Sequence, residues 1–240
     1  MSTDKKVVDG DKSYYDKNVV IDSQENFEEW AKNITFYFSG YSKKLDKSLE
    51  GKSGIVAELG AGSAACSICA SSLENVSKVY AVDISMTRMS VLANNTSKFI
   101  SGDMNKIEFL EANFNEKFPF EDESLDAILF DAAMHHSRSM WHLLSECKRV
   151  LKKDGILIAQ RESFCSPLRA SKQFANLLKS PEIAAQVSEN MYIKEQYLYY
   201  LNVSGFNADF YPHSPSKLKS MLKFLNGKIF CDGLLIAYPK

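Results

Sequence analysis

The sequence has no apolar run near the roughly 20 residues that a membrane-spanning helix needs, and this removes helical membrane proteins from the readings. It has no excess of either charge: 29 basic side chains stand against 30 acidic ones, for a formal net charge of −1. A protein that tracks a phosphate backbone shows a strong positive field, so nucleic acid is disfavoured as a partner. Cysteine is sparse and odd in number, five in 240 residues. A chain of this length needs no disulfide staples, and the count fits a reducing compartment. Cys66 and Cys69 form one C-x-x-C pair, with no second pair at matched spacing. A structural zinc site needs four ligands. The sequence therefore predicts no metal, and it reads the two thiols as buried groups on one face of a helix. Met1 to Lys17 lacks the apolar core of an export signal. A cytoplasmic protein is expected, monomeric or homodimeric, without a membrane partner. Repeats and low-complexity tracts are also missing.

What is present is 45% apolar content, enough for one large core. Ser23 is a candidate N-cap, and Phe27, Trp30, Ile34 and Phe38 recur at helical spacing behind it. Gly51 to Gly54 mark a break. Short apolar runs then alternate with helical patterns. Strands are predicted at Ile55–Leu59, Val79–Val82, Ile107–Leu110, Leu125–Phe130 and Ile156–Ala159. Helices are predicted at Ala64–Leu73, Met86–Phe99 and Met140–Leu151. Continuous apolar strands between helices mean a mostly parallel sheet covered on both faces. A tyrosine-rich helical stretch, Ser163 to Ser204, is broken by Pro167 and Pro181. Strands at Ala208–Tyr211 and Lys228–Ala237 follow, with a Lys-rich helix from near Ser216 between them. The expected organisation is a leader and lid helix over 1–50 and one domain over 51–240, with a helical cap at about 163–204.

The stretch Glu58-Leu59-Gly60-Ala61-Gly62-Ser63-Ala64-Ala65 carries the chemistry. A strand enters two glycines spaced by one residue and leaves as a helix. Glycines let the backbone turn sharply and approach a ligand, and a helix start offers free N–H groups. Asp83 ends the next strand, where a carboxylate can accept from both ribose hydroxyls. Gly60-x-Gly62-x-x-Ala65 with Asp83 also satisfies the dinucleotide fingerprint, so the turn alone leaves NAD open. Glu58 separates the two readings. A carboxylate repels a pyrophosphate but suits the amino-acid end of a sulfonium cofactor.

In this order the motifs resemble those of the class I S-adenosylmethionine (SAM) dependent methyltransferases. Glu58-Leu59-Gly60-Ala61-Gly62 is similar to their first motif, and Val79-Tyr80-Ala81-Val82-Asp83-Ile84-Ser85 to the acidic strand end after it. Glu111-Ala112-Asn113-Phe114 stands where the family reads adenine. Phe118 to Ile128 resembles the signature of the small-molecule branch, Met134-His135-His136 its frequent Leu-His-His, and Arg149 to Gly155 its closing turn. The resemblance implies a Rossmann-like, seven-stranded, mostly parallel sheet whose last strand is antiparallel, with helices on both faces and a helical lid. It implies SAM as cofactor and S-adenosylhomocysteine (SAH) as product. The expected cofactor residues are Tyr15, Glu58, Gly60, Ala61, Gly62, Asp83, Ile84, Asn113, Phe114 and Asp131.

Asn113 replaces a commoner aspartate, and its amide oxygen can still accept from the adenine amine. His135 and His136 are the candidate catalytic groups, because an imidazole can take a proton from an acceptor hydroxyl near neutral pH. Adjacent residues diverge, so one of the two is expected to face the pocket. Arg161 and Tyr200 are the candidate substrate contacts, with an Arg161–Glu162 ion pair as the plainer reading of Arg161. Asp131-Ala132-Ala133-Met134 is not the motif that such enzymes use on base amines or glutamine amides. The expected acceptor is therefore a small molecule, methylated on a hydroxyl first and an amine next. An RNA or protein acceptor and an NAD-dependent oxidoreductase are the alternatives.

Overall fold

The computed structural model describes residues 11–17, 24–162, 164–165, 170–184, 187–212 and 233–240. A short helix α1 covers residues 11–17. The long helix α2 (Gln24–Ser48) buries Ala31, Ile34, Phe38, Tyr41 and Leu45. These positions step three or four residues apart and form one apolar stripe. Alternation then sets in as β1 (Gly54–Leu59), α3 (Ala65–Ser71), β2 (Val76–Asp83), α4 (Met86–Thr96), β3 (Ile107–Glu111) and β4 (Leu125–Asp131). After β4 come α5 (Met140–Val150), β5 (Leu151–Glu162), α6 (Ala170–Leu177), α7 (Pro181–Ala184), α8 (Lys194–Val203), β6 (Phe206–Pro212) and β7 (Gly233–Pro239). Serine caps begin two of the helices: Ser85 Oγ accepts from Arg88 N, and Ser139 Oγ from His142 N.

The seven strands lie in the order β3-β2-β1-β4-β5-β7-β6, and β7 alone runs antiparallel to its neighbours. Strand residues alternate between two cores. Val56, Val79, Leu129, Ile158 and Ile236 pack under α2 and α3. Ala57, Ile128, Phe130, Leu157 and Leu235 pack under α5 and α8. Burial on both faces is why these strands read as continuous apolar runs. The order reverses between β1 and β4, and the crevice at their carboxyl ends is where open α/β sheets bind ligands.

Several boundaries differ from the sequence reading. α3 starts one residue late because Ala64 is in the left-handed region, at φ 55°. β5 begins at Leu151 because α5 passes straight into it. There Lys152 Nζ meets both oxygens of the buried Asp126 at 2.9 Å. Within the predicted cap, residues 187–193 carry no helix. The predicted helix near Ser216 and the start of the last predicted strand, 228–232, lie outside the described residues. Among the described residues no helix is long and apolar enough to cross a membrane.

Candidate active site

Five strand ends converge on a cavity of about 370 Å³. Its floor is the turn after β1, with Gly60 at φ +71° and Gly62 at φ +51°. A Cβ at Gly60 would stand 2.8 Å from Ala133 Cβ and 3.0 Å from the Phe114 ring, so only glycine fits there. Asp83 closes one side. Its two oxygens accept from Gly62 N (2.7 Å) and Ser85 N (2.9 Å), and burial pushes its carboxyl above the usual range against those bonds. Asn113 and Phe114 line the wall after β3. Asn113 Oδ1 accepts from Asn115 N at 2.9 Å, while its buried Nδ2 has no partner among the described residues.

Asp131, at the end of β4, faces the same space. Arg161 grips it with two hydrogen bonds, Nε to Oδ1 at 2.6 Å and Nη2 to Oδ2 at 2.7 Å. Arg161 sits at φ 54°, a strained conformation for a residue with a Cβ. The consecutive side chains Arg161 and Glu162 serve different walls. Glu162 turns away from Arg161 into the core, and the expected Arg161–Glu162 pair is absent. Glu162 is fully buried and collects four donors: Ala133 N and Met134 N at 2.9 Å, His135 Nδ1 at 2.8 Å and Tyr197 OH at 3.3 Å. Burial alone would raise the Glu162 carboxyl. The charge and hydrogen bond of His135 outweigh burial and hold it below the usual range. Burial likewise lowers the His135 imidazole, and Glu162 and Glu189 outweigh it, so the net shift is upward.

The two histidines part company, as adjacent residues must. His136 lines the cavity, its Nδ1 2.8 Å from Ser188 O and its ring edge-on to Tyr15. His135 is buried and faces a second cavity of about 550 Å³, which also touches Tyr14, Leu177, Glu182 and Glu189. The two cavities share Tyr15, Arg88, Leu92 and His136.

Of the residues expected at the site, Tyr15, Gly60, Ala61, Gly62, Asp83, Ile84, Asn113, Phe114, Asp131, His136 and Arg161 line the first cavity. Glu58 does not. It is buried behind the turn, where it accepts from Ser67 N and Ser67 Oγ (2.6 and 2.5 Å), and burial pushes its carboxyl up to about 8. Tyr200 lines neither cavity and packs edge-on against Trp141, Tyr192 and Tyr199. Cys66 and Cys69 are buried as expected.

Sequence reasoning missed Asp11, Arg88, Glu162 and Glu189. Asp11 ties α1 across the cavity mouth, through Arg138 Nη2 and through Ser188 N at 3.1 Å. Its partners are 127 and 177 positions away, and nothing local announces them. Glu162 carried one available signal, its place at a strand end beside Arg161.

The family described as a methyltransferase domain matches residues 57–159. That span takes in the glycine turn, Asp83, Asn113, Asp131 and both histidines. The match marks residues 57–159 as a methyltransferase domain. A methyltransferase domain favours SAM over NAD as the reading of the glycine turn.

Solved structures share its fold. Geranyl diphosphate C-methyltransferase from Streptomyces coelicolor A3(2), in complex with Mg2+, geranyl diphosphate and SAH, is 16% identical with a TM-score of 0.60. That match covers 84% of this chain and 77% of the other. The YcgJ protein from Bacillus subtilis is 16% identical with a TM-score of 0.57, covering 82% and 97%. A chain from the complex of the Haloferax volcanii Trm112 methyltransferase activator with a methyltransferase is 14% identical with a TM-score of 0.59, covering 92% and 99%. At these identities the likeness is one of fold. No curated protein matches the sequence.

Proposed function

We propose that this methyltransferase moves the methyl group of SAM to a small molecule seated in the second cavity, to a hydroxyl first and an amine next. The junction of the two cavities at Tyr15, Arg88, Leu92 and His136 carries this reading, because it brings an acceptor and a cofactor together beside one imidazole. SAM supplies an electrophilic methyl group, and the protein's task is to position the partners and exclude water.

The first cavity fits a nucleoside cofactor. Gly60 to Gly62 offer a close backbone surface, and Asp83 has the acceptor oxygens that ribose hydroxyls need. The orphaned Nδ2 of Asn113 is the donor available to an adenine ring nitrogen, so this amide donates where the sequence reading had it accept. Tyr15, Ile84 and Phe114 supply the apolar sides. Asp131, fixed by Arg161, faces the amino-acid end, and Arg161 is thereby a positioning residue. His136 donates from Nδ1 to Ser188 O, which leaves Nε2 to accept a hydroxyl proton. His135 orients the loop through Glu162.

The test is transfer of a labelled methyl group from SAM to a panel of small hydroxyl and amine compounds. A labelled product that falls at least tenfold in kcat with His136→Ala, at unchanged SAH affinity, is the expected result. Label appearing only in added RNA or protein would refute the small-molecule acceptor.

A further inference from the structure

Two clusters of ligand-type side chains lie near the cavities, and they differ in what is already satisfied. In the first, Glu58, Cys66 and Asp131 bring their ligand atoms within 4.8 Å of one another. Ser67 holds Glu58, however, and Arg161 takes both oxygens of Asp131. Both carboxylates there are already engaged by protein donors.

The second cluster is His135, His136 and Glu189, again with one ligand atom of each within 4.8 Å of the others. It opens on the second cavity. His135 Nε2 is 3.6 Å from Glu189 Oε1, and His136 Nδ1 is 3.1 Å from Glu189 Oε2. For metal–ligand bonds of about 2.0–2.1 Å, the edge of a tetrahedral site is about 3.3 Å. The observed separations bracket that value. His135 is also dressed as a ligand. Its Nδ1–H donates to the buried Glu162, which leaves Nε2 as the ligand atom facing Glu189, as a supporting carboxylate does for a metal-bound histidine. Glu162 anchors the turn that carries both histidines through Ala133 N and Met134 N. From the other side, Asn190 Nδ2 bonds His135 O and Ser137 O, so Glu189 is held beside them.

We infer that His135, His136 and Glu189 form a binding site for a divalent transition metal of the zinc class, supported by Glu162 and open to the acceptor cavity. Two imidazoles and one carboxylate suit zinc rather than magnesium or calcium, which prefer all-oxygen sets. Three protein ligands leave one position for an acceptor oxygen or sulfur. An ion there lowers the pKa of a bound hydroxyl or thiol and does the work that the free His136 imidazole does in its absence. For His136 to bind an ion through Nδ1, that nitrogen gives up its bond to Ser188 O and the ring proton moves to Nε2. That role rests on the methyltransferase reading above, whereas the binding itself does not. Sequence analysis predicted no metal because Glu189 stands more than 50 positions from the histidines and belongs to no motif.

Chelator-stripped full chain is titrated calorimetrically with Zn2+, and SAH affinity is measured on every sample. One ion per chain is expected. Glu189→Gln should weaken binding at least ~100-fold and Glu162→Gln ~10–100-fold. Glu182→Gln, in the same cavity but outside the cluster, should leave it unchanged. Retained SAH binding shows that each variant is folded. Absence of stoichiometric binding, or an affinity that survives Glu189→Gln, overturns the site. Should Glu189→Gln fail to bind SAH, Co2+ loading of the wild-type chain decides: an intense tetrahedral visible spectrum supports the site, and a weak octahedral one overturns it. Loss of SAH binding in the wild type would count against the cofactor reading and leave the metal result standing.

Discussion

At the scale of the residue, buried carboxylates divide the labour around the turn. Glu162 ends on four donors and stays ionised, whereas burial and the nearby charge of Asp131 outweigh the Ser67 and Cys66 donors to Glu58. With its folded pKa raised from 4.5 to about 8 by burial, Glu58 holds its proton in the native chain. The unfolded chain releases that proton at lower pH. Its contribution to stability is therefore fully present below about pH 4.5 and is lost as pH rises through about 8. Glu58→Gln cannot ionise and escapes this loss. Urea unfolding across this range should show the variant gaining about 2–4 kcal/mol on the wild type. Parallel pH profiles would refute the assignment. The sequence reading used Glu58 as the group favouring a sulfonium cofactor, but the side chain is buried on Ser67 and does not line the cavity. A two-residue offset before the glycines does not say whether a side chain points to the ligand or into the helix behind it.

At the scale of the element, the non-helical segment 187–193 links the cap to the domain. Asn190 bonds the 134–137 loop through its amide side chain and through its own N–H to His135 O at 3.0 Å. Phe164 and Tyr192 add a bridge, and Cys165 N donates to Tyr192 O at 2.8 Å. Asn190→Ala removes two of these bonds and should cost about 1–2 kcal/mol. Hydrogen exchange should then speed up at the amides of 133–137 while the β1 amides stay protected. Uniform acceleration across the sheet would show that the segment is not a local latch. The strands were legible one by one, because each is a short apolar run buried on both faces. Tyr200 shows the limit of the same reasoning, since aromatic content in a helical stretch does not distinguish a pocket wall from the Trp141–Tyr199 packing that it joins. The long helix α2 is likewise mostly core, and Trp30 is its contact with the first cavity.

At the scale of the whole molecule, the strand order brings together the ends of five strands that are scattered over the chain. The cofactor wall was readable because each piece is a short local motif at a strand end. The acceptor side was not, because Glu182 and Glu189 reach it from segments whose own sequence carries no pattern. The central claim is that the turn after β1 and the acid after β2 hold SAM at this crevice. Calorimetric titration of SAH into the full chain tests it most directly, with Asp83→Ala and Gly60→Ala beside the wild type. One SAH per chain is predicted, weakened at least tenfold (about 1.4 kcal/mol) by either substitution in protein that keeps its circular dichroism spectrum. A folded wild type that binds neither SAH nor SAM, or one whose affinity ignores both substitutions, would contradict it.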